Sequence, residues 1–315
     1  MLDWTDRHCR YFLRLISQHS VLYSEMITTG AILYGDTERH LAMSAQEQPV
    51  ALQLGGSDPN DLAAACKIAD NYAYSEINLN CGCPSDRVQN GMFGAVMMKN
   101  AKITADCVAA MIDATTLPVT VKHRIGVDDF DSYDFLCQFV GTVAASGCST
   151  FLVHARKAWL QGLSPKQNRE VPELNYDRVY QLKKDFPDLE FIINGGISTL
   201  DESVTHLNNI DGVMLGREAY TNPYILSQVD RIIYGDEKPI KTREKIAEEF
   251  VEYVDNEMVK GVKLNAMTRH ILGLYHGMPG ARQFRRHISE NAYKSTATID
   301  VLINALKFTS GASTR

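Results

Sequence analysis

Short apolar runs alternate with amphipathic stretches through the first two thirds of the chain. Residues 21–25, 50–54, 75–79, 119–122, 150–154, 190–194 and 212–215 are rich in Val, Ile, Leu and Phe. Each is closed by glycine, proline or polar residues, and each reads as a strand. A helix over 6–17, with Tyr11, Phe12, Leu15 and Ile16 on one face, precedes the first of them, and a loop or helix over 29–34 follows it. Asp58 and Pro59 open a second helix through Ala69, a side-chain cap followed by a proline in the first turn. Further helices are predicted near 105–114, 133–145 and 200–207. Repeated strand–helix units with apolar strands imply a parallel sheet covered by helices. The expected architecture is α/β, a (β/α)8 TIM barrel of which seven strands can be counted.

Past residue 240 the strand signal stops. Stretches 242–260, 266–274, 283–293 and 300–308 have helical spacing, with a Gly-Met-Pro-Gly break at 277–280. The predicted organisation is a barrel over 1–240, a small all-helical domain over 241–310 and a disordered tail over 311–315.

Charge sharpens that division. The 315-residue chain has a net charge of −6, which argues weakly against a nucleic-acid partner. Residues 241–315 nevertheless carry 12 Lys and Arg against 8 Asp and Glu, and Glu290 alone opposes the six basic residues from Lys263 to Lys294. A basic module attached to an acidic one suits a polyanion partner, although a solvated helical face has the same composition. Seven cysteines at irregular spacing form no disulfide framework and point to a reducing cytoplasm. No apolar run approaches bilayer length, and the first residues do not resemble a signal peptide, so no membrane association is expected.

Candidate chemistry gathers where strands end. The run to Leu79 stops at Asn80-Cys81-Gly82-Cys83-Pro84-Ser85, a glycine- and proline-bearing loop that presents thiols at the C-terminal end of a strand. In parallel α/β folds that end carries the site. A thiol there is a candidate nucleophile or proton donor. Gln53, Lys122, His154 and Asn194 close four other strands, so several chemistries converge on one barrel mouth. A lysine aimed into an enclosed pocket is costly unless an anion offsets its charge. Asn194-Gly195-Gly196 and Gly216-Arg217 each deliver glycine N–H groups ahead of a helix, an arrangement suited to phosphate, although either alone could be a plain turn. Cys81 and Cys83 lack a partner pair at zinc spacing, so no metal site is expected. The other five cysteines are expected in the core.

These segments resemble the tRNA-dihydrouridine synthases, with most likeness to the A-type bacterial branch. The resemblance rests on Asp3-Trp4-Thr5-Asp6, Gln53-Leu54-Gly55, Asn78-Leu79-Asn80-Cys81-Gly82-Cys83-Pro84, Val121-Lys122-His123-Arg124, His154-Ala155-Arg156, Asn194-Gly195-Gly196 and Gly216-Arg217. It covers nearly the whole chain. It implies a flavoprotein that binds FMN, consumes NADPH and reduces uridine at positions 20 and 20a of the tRNA D-loop. Hydride would pass from flavin N5 to C6 of the uracil, and Cys83 would supply the proton to C5, its thiol being mostly protonated near neutral pH. Gln53 and Lys122 would hold the flavin ring, and His154, Asn194, Gly195, Gly196, Gly216 and Arg217 the rest of the cofactor. Asn80 would contact the uridine, which must leave its stack to reach the mouth.

Lys166, Arg169, Arg282, Arg285 and Arg286 would contact tRNA, and Trp4 and Trp159 could stack on a base. A monomer is expected. The resemblance also implies a further first strand, ending Ala-Pro-Met, ahead of Met1. Two other functions share parts of this pattern: a dihydroorotate or dihydropyrimidine dehydrogenase acting on free bases, and a non-catalytic tRNA-binding protein. The basic helical region opposes the former, and the intact Cys83 and Lys122 oppose the latter.

Overall fold

The computed structural model describes residues 1–85, 88–89 and 91–309; the tail expected over 311–315 lies outside them. Two compact units result. One comprises Met1 and Val21–Gly216, the other Leu2–Ser20 together with the chain from Arg217 onward.

The first unit contains β1 (Leu22–Thr28), β2 (Val50–Gly55), β3 (Glu76–Cys81), β4 (Val119–Arg124), β5 (Thr150–His154), β6 (Glu190–Asn194) and β7 (Gly212–Met214). All neighbours are parallel, in the order β1-β2-β3-β4-β5-β6-β7. Consecutive parallel pairing is the order of a (β/α)8 barrel, and among the described residues β1 and β7 form its two edges. The strands lie on the predicted apolar runs, most extended by one to three residues.

The helices between strands begin where short polar side chains cap them. Counting α1 as Arg7–Ile16, these are α2 (Pro59–Ala69), α3 (Ala101–Ala114), α4 (Tyr133–Ala144), α5 (Tyr176–Asp185) and α6 (Leu200–Leu207). Their caps are Asp58, Asn100, Ser132, Asn175 and Thr199, each accepting a backbone N–H of the first turn. Helix α5 escapes the hydrophobic pattern because only Val179 and Leu182 of its ten residues are buried.

Strand alternation then divides the side chains. Ile77, Leu79 and Cys81 of β3 are fully buried on one face, and on the same face of β4 His123 packs against Phe139 of α4. The opposite face carries Asn78, Asn80, Thr120 and Lys122, paired in register as Asn78–Thr120 and Asn80–Lys122. The burial pattern thus turns polar side chains away from the helices.

The second unit packs α1 with α7 (Arg243–Val259), Leu264–Thr268, α8 (Ala281–Asn291) and Asp300–Leu306. Phe12 meets Phe250 edge-on at 5.0 Å between ring centres, and Tyr11 stacks on Tyr253 at 3.8 Å. The unit boundaries therefore differ from a division at residue 240, because the apolar face of α1 is buried among these later helices. The single helix expected over 266–274 is broken, with Gly273 lying so close to Thr221 that a Cβ would come within 2.6 Å of its carbonyl oxygen. No helix among the described residues is long and apolar enough to cross a membrane.

Asp6 holds α1 in place. Its Oδ1 caps the helix through Cys9 N–H at 2.9 Å, and its carboxylate also accepts from Arg269 at 2.5 Å and lies 3.0 Å from His270 Nε2. Burial alone would raise its pKa, but hydrogen bonding to His270, the charge of that ring, the Cys9 N–H and Arg269 together hold it well below the usual carboxylate range. A depressed carboxylate stabilises the fold at neutral pH, and that contribution fades as pH falls below about 4. Asp6→Ala is expected to cost ~1–2 kcal/mol from the lost cap alone. Asp6→Asn, which keeps the capping oxygen, should cost less, and thermal unfolding at pH 7 measures both.

Candidate active site

Cys83 lies on the loop that leaves β3, and its backbone is gripped at both ends. Asn80 Oδ1 accepts the N–H groups of Gly82 and Cys83 at 3.1 and 3.0 Å, folding the chain back over the strand end. The next three carbonyls are each caught by a different donor. Arg124 Nε donates to Gly82 O at 3.1 Å, Ala95 N–H to Cys83 O at 2.9 Å and Gln89 Nε2 to Pro84 O at 2.8 Å. Gly94 makes the second of these possible. Its φ is +75°, and a Cβ there would come within 2.6 Å of Cys83 O and 2.4 Å of Val88 Cγ1. The half-buried Cys83 thiol donates a long 3.6 Å hydrogen bond to Ser85 Oγ. Its neighbour Cys81 points to the helical side, where burial pushes its pKa well above the ordinary thiol value. One strand step thus separates an inert core thiol from an accessible one.

Gln53 stands beside this loop on β2. Its Oε1 accepts Asn80 Nδ2 and its Nε2 donates to Asn78 Oδ1, both at 2.9 Å. Asn80 therefore spends its amide on Gln53 and on the Cys83 loop, a commitment that strand-end position alone does not reveal.

The adjoining wall is cationic. Lys122 on β4 donates one hydrogen bond, to Asn194 Oδ1 at 3.2 Å, while Asn194 Nδ2 reaches Met214 O at 2.7 Å. Burial, reinforced by Arg124 and opposed by Cys83, pushes Lys122 down to about 8. His154 ends β5. Burial and the surrounding Arg124, Lys122, Arg156 and Arg169 hold its pKa far below the usual imidazole value, so the ring is neutral. Its Nδ1 is buried with no hydrogen-bond partner among the described residues. Such an orphan calls for a partner that the protein itself does not supply.

Beyond Asn194 the chain passes through Gly195 and Gly196, with φ of +117° and +75°. A Cβ on Gly196 would come within 2.6 Å of Leu174 Cδ1, and Tyr176 OH donates to Gly195 O at 2.6 Å. The bend is held, and no side chain other than hydrogen fits. Gly216 follows β7 in open space. Lys122 with spare donors, an orphaned imidazole nitrogen and a glycine bend form a cradle for an anionic, hydrogen-bonding ligand. That donor set fits a flavin mononucleotide.

The structure thus brings Gln53, Asn80, Cys83, Lys122, His154, Asn194, Gly195 and Gly196 to the strand ends of one unit. Lys166 and Arg169 are exposed on the loop after β5. Arg217 opens the helix Arg217–Thr221 in the second unit, as Arg282 and Arg285 do the exposed side of α8 there. Neither tryptophan is a bare stacking platform. Trp4 stacks on Tyr220 at 4.4 Å, and Lys157 Nζ covers the Trp159 ring at 4.1 Å. Arg124 is the residue that reading the sequence missed. It is nearly fully buried and donates to the carbonyls of Gly82, Lys157 and Asn168, tying the Cys83 loop to the loop after β5.

The chain is 59% identical to tRNA-dihydrouridine(20/20a) synthase of Escherichia coli O6:H1, over 98% of this chain and 93% of the relative. It is 58% identical to the protein of that name from Yersinia pestis, over 98% and 90% of the two chains, and 57% identical to that of Vibrio cholerae, over 97% and 94%. Among solved structures, a 2-naphthoyl-CoA reductase complexed with 2-naphthoyl-CoA aligns with a TM-score of 0.52 at 8% identity. That alignment covers 71% of this chain but only 47% of the reductase, and it shows the fold alone. The profile described as "Dihydrouridine synthase (Dus)" matches residues 1–310. With the profile spanning nearly all of its length, the chain belongs to the dihydrouridine synthase family.

Proposed function

We propose that this protein reduces the C5–C6 double bond of uridine in tRNA, at positions 20 and 20a of the D-loop, with FMN as resident cofactor and NADPH as reductant. The observation that carries this reading is Cys83: a thiol on a backbone clamped at both ends, in the same mouth as a wall of cations and an unpartnered imidazole. The names of its relatives support the choice of substrate and positions. We further propose that it acts as a monomer in the cytoplasm, where its seven free cysteines remain reduced.

Gln53, Lys122, His154, Asn194, Gly195 and Gly196 would hold the flavin, with Gly216 and its chain neighbour Arg217 as a further phosphate contact. When bound, the flavin supplies two-electron reduction of the base. The Lys122 ammonium would favour the anionic form of such a ligand, and His154 Nδ1 would gain the partner it lacks. Reducing the double bond also requires a proton at C5, and Cys83 Sγ is placed to donate it. The loop carbonyls already have donors, so the thiol can give up its proton without the backbone shifting. Lys166, Arg169, Arg282 and Arg285, all exposed, would meet tRNA phosphates, contacts a free pyrimidine base would not use. Asn80 would act on the uridine chiefly by holding Cys83 in place.

Cys83→Ala is expected to lower dihydrouridine formation in tRNA by about 10²–10⁴-fold, the usual contribution of a positioned acid. Flavin absorbance of the purified variant should match the parent. Nucleoside mass spectrometry and the visible spectrum check the two halves, and an active Cys83→Ala enzyme would remove the thiol from the reaction.

Lys122 predicts a pH dependence. Its ammonium is charged below about 8 and neutral above, so affinity for FMN should fall as pH rises through that value. Binding should take up a proton in the same range. Lys122→Met should weaken binding at pH 7 by roughly tenfold or more, the value of a hydrogen bond to a charged group, and flatten the profile between pH 7 and 9. Flavin fluorescence titration measures both.

A further inference from the structure

Behind the Cys83 loop, a hydrogen-bonded chain of side chains runs down the polar face of the sheet. The N–H groups of Gly82 and Cys83 donate to Asn80 Oδ1, and Asn80 Nδ2 donates to Gln53 Oε1. Gln53 Nε2 donates to Asn78 Oδ1 at 2.9 Å, and Asn78 Nδ2 to Thr120 Oγ1 at 2.8 Å. Thr120 in turn donates to Glu76 Oε1 at 2.5 Å, which also accepts Tyr23 OH at 2.9 Å. Every donor along this path points the same way, from the Cys83 backbone towards the Glu76 carboxylate.

The two ends impose that polarity. A backbone N–H can only donate, and an ionised carboxylate can only accept. The three carboxamides between them have no such preference, since each could turn its oxygen and nitrogen about. Thr120 is the joint, because its hydroxyl must donate to Glu76 and is thereby left to accept from Asn78. Asn78, Thr120, Gln53 and Asn80 are all at most 9% exposed, so solvent is poorly placed to replace a lost link. Chains of this kind polarise one another and strengthen together. Were Asn80 to turn over, its NH2 would face the Gly82 and Cys83 N–H groups, donor against donor, and the loop would lose its anchor.

We infer that Thr120 and Glu76 are positioning residues for Cys83, fixing the orientation of the Asn80 amide through Asn78 and Gln53. Neither touches the mouth. Burial, with the Glu190 charge, holds the Glu76 pKa above the ordinary carboxylate value, and the Thr120 and Tyr23 hydrogen bonds offset part of that rise, so the carboxylate depends on the same links that it orients. The inference rests on Cys83 being the proton donor only for its effect on turnover; its effect on the loop is independent of any reaction.

The test uses Thr120→Val, which keeps the shape and removes the link, with Thr120→Ser as the variant that restores it. The alkylation rate of Cys83 by iodoacetamide is followed by peptide mass spectrometry in flavin-free protein, and tRNA-dependent reoxidation of the flavin in loaded enzyme. Thr120→Val should change Cys83 alkylation by roughly fivefold or more, the equivalent of one lost hydrogen bond. It should slow reoxidation at saturating tRNA by about tenfold or more, with the KM for tRNA and flavin reduction by NADPH unchanged. Thr120→Ser should return both rates to near the parent values. Glu76→Leu should reproduce the Thr120→Val alkylation change and guards against a local packing effect of valine. Unchanged alkylation in both Thr120→Val and Glu76→Leu overturns the inference, as does a change that Thr120→Ser does not reverse. A parent enzyme that alkylates as expected yet forms no dihydrouridine would overturn the functional reading and leave the positioning role supported.

Discussion

The site depends on the carboxamide of Asn80. Its oxygen holds two successive N–H groups of the Cys83 loop, and its nitrogen is tied to Gln53 on the neighbouring strand. A loop containing two glycines and a proline has few side chains with which to fix itself, and such a segment would ordinarily be mobile. Here one buried side chain supplies an anchor, and Arg124 of β4, with Ala95 and Gln89 from further along the same connection, completes it. The backbone of Gly82, Cys83 and Pro84 is therefore held by hydrogen bonds although it belongs to a loop.

The wall opposite works by an imbalance of charge. Lys122, Arg124, Arg156 and Arg169 crowd around His154, and burial holds the imidazole neutral among them. Arg124 discharges its hydrogen bonds into backbone carbonyls, but among the described residues Lys122 donates to Asn194 alone and His154 Nδ1 has no partner. Unpaired polar groups in low dielectric are costly to the folded chain. The Gly195–Gly196 bend beside them is packed against Leu174, Tyr176 and His154. Burial, with Arg124 beside it, depresses Lys122 towards neutrality in this wall.

The second unit uses comparable means for a structural end. The Asp3–Asp6 segment, which carries part of the family resemblance, is held within the second unit. Asp6 caps α1 and accepts from Arg269, with His270 alongside, while Trp4 stacks on Tyr220, whose hydroxyl meets His270 Nδ1 at 3.1 Å. A family signature can thus mark a place where the chain is pinned. The basic side chains Arg282 and Arg285 remain exposed on α8 because Phe284 and Ile288 occupy its buried face.

Much of this was legible in the linear chain. Seven apolar runs became seven strands because the helix-facing side chains of each strand are buried, which leaves apolar residues recurring along the run even where the other face is polar. The caps at Asp58, Ser132 and Thr199 mark helix starts by local chemistry alone, and the strand-end residues Gln53, Lys122, His154 and Asn194 did converge on one mouth. Helix α5 was not legible, because two buried residues in ten make too weak a period. The placement of α1 was not legible either, since an amphipathic helix records that it has an apolar face and not which partner will cover it. Nor could the chain reveal that Asn80 serves the loop, that Arg124 ties two loops together, or that Thr120 and Glu76 stand behind Cys83. Those roles rest on contacts between residues tens of positions apart. Residue type and spacing determine what each side chain can donate or accept, whereas strand register decides which neighbour receives it.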